Sequence, residues 1–200
     1  YSILKGTLSS SNYDISYAGD NFTITPKSIT VVADANQSKV YGEVDPVFTY
    51  TTTGLVGADT LTGTLSRVLG DSVGVYAILK GTLDNSNYNI SYTGDNFTIT
   101  PKSITVIANA NQNKVYGSLD PVFTYTATGL VGADTLTGAL SRVPGDSVGV
   151  YAILKGTLDN SNYNISYMGD NFNITKKSIT VVADANQNKV YGSLDPVFTY

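Results

Sequence analysis

The chain has no cysteine, no histidine and no tryptophan, a single methionine and a single glutamate, Glu43. Each absence closes a route. Without cysteine there is neither a disulfide framework nor a thiolate nucleophile. Without histidine or cysteine, Ser-His-Asp and Cys-His arrangements cannot be assembled. A carboxylate pair of the glycosidase kind would remain, but serine stands where Glu43 should recur, at Ser118 and Ser193. The chain reads as no enzyme. Charge is sparse, at 14% of residues, and the net charge is −4. A nucleic-acid surface has to be basic to displace counterions from phosphates, so nucleic acid is excluded as a partner. No apolar run approaches the roughly 20 residues of a membrane-spanning helix, so no membrane insertion by this segment is expected.

What is present is repetition. Lys39-Val40-Tyr41-Gly42 followed by Asp45-Pro46 returns as Lys114-Val115-Tyr116-Gly117 with Asp120-Pro121, and again as Lys189-Val190-Tyr191-Gly192 with Asp195-Pro196. The offset is 75 residues each time. A fixed period is read before anything else, because it defines the folding unit. It divides the chain into residues 1–26, the C-terminal part of a module; 27–101 and 102–176, two complete modules; and 177–200, the N-terminal part of another. Tyr1 aligns with Tyr76 and Tyr151 in the middle of a strand-like run, so the sequence reads as a window onto a longer polypeptide.

One period shows only strand-like segments. Ser28–Asp34 is rich in β-branched residues, and Val47–Thr52 puts Phe48 and Tyr50 on one face. Ala35–Ser38 reads as a polar connection, and Gly54–Asp59 as a loop. Leu61–Ser66 reads as a short strand, and Val68–Asp71 as a loop, since Leu69 becomes Pro144 in the next copy. Val73–Leu79 is apolar on both faces, which predicts a covered central strand. Tyr88–Tyr92 and Asn96–Thr100 alternate strictly and are expected to form a hairpin through Thr93-Gly94-Asp95. Six or seven short strands without a helical period predict an all-β fold of tandem β-sandwich modules. The junction Thr100-Pro101-Lys102-Ser103 contains no flexible linker, so the modules should follow one another in a linear rod. At about 3.3 Å per strand residue, the window would be on the order of 100 Å long. Between copies, Val32/Ile107 and Val44/Leu119 read as mild core changes.

These residues carry a resemblance. Ser28-Ile29-Thr30-Val31, Lys39-Val40-Tyr41-Gly42, Asp45-Pro46, Gly57-Ala58-Asp59-Thr60-Leu61-Thr62-Gly63, Gly74-Val75-Tyr76 and Asn87-Tyr88-Asn89-Ile90 together resemble the MBG repeat of the YGX type. Tandem modules of this kind resemble those of very large bacterial surface adhesins, Bacteroidetes proteins among them. The resemblance implies an Ig-like module in an extracellular, cell-surface fibre, and it implies no ligand. Lys176 departs from the junction prolines Pro26 and Pro101.

Several segments have a chemical reading beside the ordinary structural one. Oxygen-rich turns at Asp84-Asn85-Ser86-Asn87, Gly94-Asp95-Asn96 and Asp34-Asn36 could hold calcium. Asp, Asn and Gly are also ordinary turn formers, and Asp34 becomes Asn109 while Asp84 is Ser9 in the first copy. The expectation is no cofactor. Asp59-Thr60-Leu61, Asp71-Ser72-Val73, Asp134-Thr135-Leu136 and Asp146-Ser147-Val148 resemble the O-glycosylation signal of Bacteroidetes, which makes Thr60, Ser72, Thr135 and Ser147 candidate glycan sites. A Lys–Asp or Lys–Asn isopeptide involving Lys39 or Lys80 is conceivable, though spacing does not select it. Tyr88 and Tyr92 share a face with Ile90, and Tyr76 shares one with Ile78, so most tyrosines read as core rather than as an adhesive surface. Tyr41, Gly42, Asp45 and Pro46, with Tyr116, Gly117, Asp120 and Pro121 and with Tyr191, Gly192, Asp195 and Pro196, read as a structural turn. The function expected is a stalk or fibre segment of a bacterial adhesin, whose partners are its own neighbouring modules. The rival is a multivalent array in which each module weakly grips a surface glycan or protein.

Overall fold

The computed structural model describes all 200 residues. It contains strands and no helices, in two compact units, Tyr1–Lys102 and Ser103–Tyr200. The first unit holds β1 (Lys27–Ala33), β2 (Gln37–Val40), β3 (Tyr50–Thr53), β4 (Ser66–Arg67), β5 (Gly74–Leu79), β6 (Tyr88–Thr93) and β7 (Asn96–Thr100). The second set is β8 (Lys102–Ala108), β9 (Gln112–Val115), β10 (Tyr125–Thr128), β11 (Ser141–Arg142), β12 (Gly149–Leu154), β13 (Tyr163–Met168) and β14 (Asn171–Thr175). In each complete module the seven strands divide into a sheet of three and a sheet of four, the layers of an Ig-like sandwich. The orders are β3-β1-β6 and β2-β7-β5-β4 in the first module, and β10-β8-β13 and β11-β12-β14-β9 in the second.

Period-two patterning explains the core. Along β1 the inward residues Ile29, Val31 and Ala33 are buried; along β7 they are Phe97 and Ile99; Leu65, Ile78, Leu83 and Tyr88 complete the cluster. Burying an apolar side chain of this size stabilises by roughly 1.5–3 kcal/mol relative to exposure. Phe48 meets the Phe97 ring edge-on at 5.1 Å.

Tyr88–Tyr92 and Asn96–Thr100 do not form the expected hairpin. β6 pairs in parallel with β1, from Lys27↔Tyr88 to Val32↔Thr93, while β7 pairs in parallel with β2, from Gln37↔Phe97 to Val40↔Thr100. The segment crosses from one sheet to the other at Gly94. The reason is steric as well as topological: a Cβ at Gly94 would sit 2.6 Å from the Ile78 carbonyl oxygen. Strict alternation tells which face a residue occupies, not which strand lies beside it.

Other expectations need correction. Gln37–Ser38 belongs to a strand, β2, rather than to a connection. Of Val47–Thr52, only Tyr50 onward belongs to a strand: Thr49 O still accepts from Asp34 N–H at 3.0 Å, but its N–H donates to the Gln37 side chain. Leu61–Ser66 is reduced to a bridge between Thr62 and Asp84 and then to β4, with Gly63 at φ 80° interrupting it. β5 is covered on one face only, since Val75 is 64% exposed. Val32, Ile107, Val44 and Leu119 are all exposed, so the changes between copies spare the core.

Residues 1–26 retain the hydrogen bonds that correspond to the β5–β7 pair, Phe22 N–H to Tyr1 O at 2.6 Å and Ile3 N–H to Asp20 O at 2.7 Å. In 177–200 there is no strand. Phe22, at the position of the fully buried Phe97, is 56% exposed.

Candidate functional site

The repeated Lys-x-Tyr-Gly and Asp-Pro residues converge on one arginine. β2 carries Lys39 inward, the turn returns through Gly42 at φ 86°, and Asp45 then faces Lys39. Lys39 Nζ lies 2.8 Å from Asp45 Oδ1. Arg67, on the two-residue β4, grips the same carboxylate with both arms: Nε donates to Oδ2 at 2.6 Å and Nη2 to Oδ1 at 3.1 Å. Its Nη1 donates to the carbonyls of Val68 and Gly70 at 3.0 and 2.6 Å, and Nη2 reaches Asp71 at 3.4 Å. Every N–H of the guanidinium is thereby used. Its Cζ lies over the Tyr76 and Phe97 rings, 5.1 and 5.3 Å from their centres. Stacking on a ring and forked recognition of a carboxylate are two things arginine does and lysine cannot.

The second module repeats the arrangement. Lys114 lies 2.7 Å from Asp120, Arg142 Nε lies 2.6 Å from Asp120 Oδ2, and Cζ is 5.2 Å from the Tyr151 ring centre. In 177–200, which contains no arginine, Lys189 and Asp195 still pair. The side chains of Lys39 and Arg67 are only 7% exposed. Hydrogen bonds from the arginine, reinforced by the lysine, hold the Asp45 carboxyl below the usual carboxylate range; for Asp120 the same causes lower it to about 2.

Two smaller devices brace the lock. Gln37 behaves as a section of backbone: Nε2 donates to Asp34 O and Thr49 O at 2.9 and 3.1 Å, while Oε1 accepts from Thr49 N–H at 2.8 Å. Gln112 and Gln187 repeat all three bonds. Below the sandwich, the Tyr88 hydroxyl donates to Asp59 Oδ2 at 2.5 Å and accepts from Val56 N–H at 3.0 Å. The hydrogen bond to Asp59, together with burial, raises the Tyr88 pKa. Tyr163 contacts Asp134 in the same way.

The sequence-predicted residues distribute as follows. Tyr41 packs partly on the core and its N–H donates to Thr100 O at 2.9 Å. Asp45 and Asp120 are brought into the lock; Pro46 and Pro121 are exposed beside it. Arg67, Gln37 and their equivalents were not singled out by sequence reasoning. The available signal was that Arg67 and Arg142 are the only arginines and stand one period apart.

Thr60, Ser72, Thr135 and Ser147 are all exposed. Their segments are fixed: Asn85 Nδ2 donates to Thr60 O at 2.9 Å, and the Tyr76 hydroxyl to Ser72 O at 2.7 Å. Among the oxygen-rich turns, Asn85 Oδ1 accepts from Asn87 N–H at 3.0 Å and Asp95 Oδ1 from Asn96 N–H at 2.7 Å. No three acidic residues come together. The Lys39–Asp45 contact is ionic. An isopeptide needs a neutral amine attacking a protonated carboxyl with loss of water, and Arg67 holds that carboxyl ionised. An open hollow of about 290 Å³ near Tyr88, lined by Ile24, Pro26, Lys27, Val56 and Asp59 among others, offers Asp59 already engaged by the tyrosine.

The arrangement ties three segments, β2, the turn after it and β4, into one rigid corner. No curated protein matches the chain, and no solved structure does. The family model of the MBG domain (YGX type) matches twice, over residues 29–98 and 104–173. The two matched stretches coincide with the two seven-stranded sandwiches, and the chain belongs to the MBG domain family of the YGX type, as a tandem of two repeats.

Proposed function

We propose that the chain is a non-enzymatic stalk segment of a long bacterial cell-surface adhesin or extracellular filament, acting as a spacer whose partners are its own neighbouring modules. One observation carries this reading. The residues that define the repeat are engaged with one another: Lys39 with Asp45, Asp45 with Arg67, and Gln37 with Thr49. A recurring binding site would hold recurring polar groups free for a ligand, whereas here the recurring groups stabilise the module that carries them. The short junction agrees, since β7 ends at Thr100 and β8 begins at Lys102. Exposed Thr60, Ser72, Thr135 and Ser147 are the positions where glycans would shield such a stalk.

The test compares the 200-residue chain with its parent polypeptide on the same cell or matrix surface. Binding by the parent and none by the repeats is the expected result. Adhesion that the repeats reproduce, growing steeply with module number as avidity requires, would replace the stalk with the adhesive array.

A further inference from the structure

We infer that the first and last strand segments of each module form a shear clamp, and that this clamp sets the force at which a module yields. The inference rests on the stalk reading for its biological use, but its geometry stands independently.

The argument begins with register. Lys27↔Tyr88 through Val32↔Thr93 is a parallel pairing at a separation of 61 residues. Gln37↔Phe97 through Val40↔Thr100 is a parallel pairing at a separation of 60. The two pairings belong to different sheets, yet they are one ribbon. Between Thr93, still paired with Val32, and Asp95, whose carbonyl already accepts from Ile78 N–H at 2.8 Å, stands only Gly94. One residue leaves room for a crease but none for a reversal of direction. Residues 88–100 therefore run as a single bent strand, and 27–40 run beside it in the same direction. The partner strand absorbs one extra residue at the crease, where Asn36 takes φ 62°. Asparagine is among the few residues that tolerate this conformation. Asn111 adopts φ 64° at the same place in the second module, where β9 pairs with β14 at the same separation of 60.

Because the two strands are parallel neighbours, the start of one and the end of the other lie at opposite ends of the ribbon. Tension entering at Lys27 and leaving at Thr100 pulls them past each other along their length. All ten registered positions, six in one sheet and four in the other, resist together, rather than opening one after another as in a peeled hairpin. Sliding is also opposed by the core. A one-residue slip would turn Ile29, Val31, Phe97 and Ile99, none more than 3% exposed, towards the opposite face. One side-chain and one backbone bond brace the lower end: Thr100 Oγ1 donates to Lys39 O at 3.2 Å, and Tyr41 N–H to Thr100 O at 2.9 Å.

The absence of cysteine makes the test clean, because introduced thiols define the pulling points. In the full chain, Lys27→Cys with Pro101→Cys loads the clamp in shear. Lys27→Cys with Asn87→Cys loads the same ribbon at adjacent strand starts and peels it. Single-molecule force spectroscopy should show a severalfold higher rupture force for the first pair, with both variants matching the parent in denaturant midpoint. The unaltered chain pulled through its ends should show two ruptures, each releasing about 22 nm, from ~3.5 Å per extended residue less the folded ribbon length. Equal forces in the two geometries, or end-to-end ruptures no stronger than the peeled one, would overturn the clamp. Neither result would touch the stalk reading, which the surface-binding comparison decides. A shear-resistant module in repeats that also bind the surface would overturn the stalk and keep the clamp.

Discussion

Replacing Arg67 with methionine removes the centre of the lock while leaving an unbranched apolar side chain to lie on Tyr76 and Phe97. The structure gives the size of the effect. Two charge-assisted bonds to Asp45 disappear, the carbonyls of Val68 and Gly70 lose their donor, and the stacking on two rings becomes apolar contact. The contact with Asp71 contributes nothing measurable, since that carboxylate is 91% exposed. Breaking a fully buried ion pair costs about 3–5 kcal/mol; Asp45 is 34% exposed, so water recovers part of the loss and about 2–3 kcal/mol is expected. For a domain of this length, that lowers the melting temperature by roughly 10–20 °C. The assay contains its own reference. The second module keeps Arg142, so calorimetry of Arg67→Met should resolve two transitions, one displaced and one at the parent position. Arg67→Lys should recover little, because an ammonium neither forks onto a carboxylate nor stacks flat on the rings. A single transition within about 0.5 kcal/mol of the parent, the level of an ordinary surface substitution, would refute the account of the lock.

Acid should loosen both modules through the same carboxylates. Asp45 and Asp120 are held below their unfolded values, so their stabilisation is complete above about pH 4 and is lost as pH falls towards 2. After discounting for solvent screening, this is on the order of 1 kcal/mol per module, and Asp45→Asn with Asp120→Asn should flatten the pH dependence of the denaturant midpoint over that range. Gln37→Ala removes three bonds and leaves Thr49 N–H without its acceptor, which should cost about 1–2 kcal/mol in denaturant unfolding. Gly94→Ala should destabilise its module by about 2 kcal/mol or more, because the new methyl meets the Ile78 carbonyl where the strand changes sheet; an unchanged melt would argue against the crease. Leu69→Pro should be neutral or stabilising by up to about 1 kcal/mol, since Pro144 occupies the same exposed loop position in the second module.

The sequence made the period, the all-β class and the faces of the strands readable, because alternation and β-branching are local signals. On that basis alone, the alternation of Asn96–Thr100 sets Phe97 and Ile99 on one face. Pairing was not readable. The link between Tyr88–Thr93 and Asn96–Thr100 looked like a hairpin because Thr-Gly-Asp has turn chemistry, whereas Gly94 is there for a close approach to a third strand. Gln37 to Val40 escaped notice because a short polar edge strand shows little alternation. The extent of Val47–Thr52 was misjudged because a glutamine side chain takes the Thr49 N–H where a neighbouring strand's carbonyl would continue the ladder. Arg67 was missed because Asp45 lies 22 residues away in the chain, and charge pairing over that distance leaves no periodic trace. Once Lys39 and Asp45 are seen to recur together, the only two arginines of the chain are the natural third member.

The parallel ribbon also fixes when a module can exist. β1 finds β3 within about the next twenty residues, but β2 neighbours β7 alone, so it has no partner until residues some sixty positions later have appeared. Long-range pairing of this kind makes folding late and abrupt. A chain emerging from a ribosome or a pore would carry each module as pliable thread until Thr100 came out, and only then would the whole unit close. The repeats would be finished one at a time and in order, each by its own last strand, before the next had enough chain to begin.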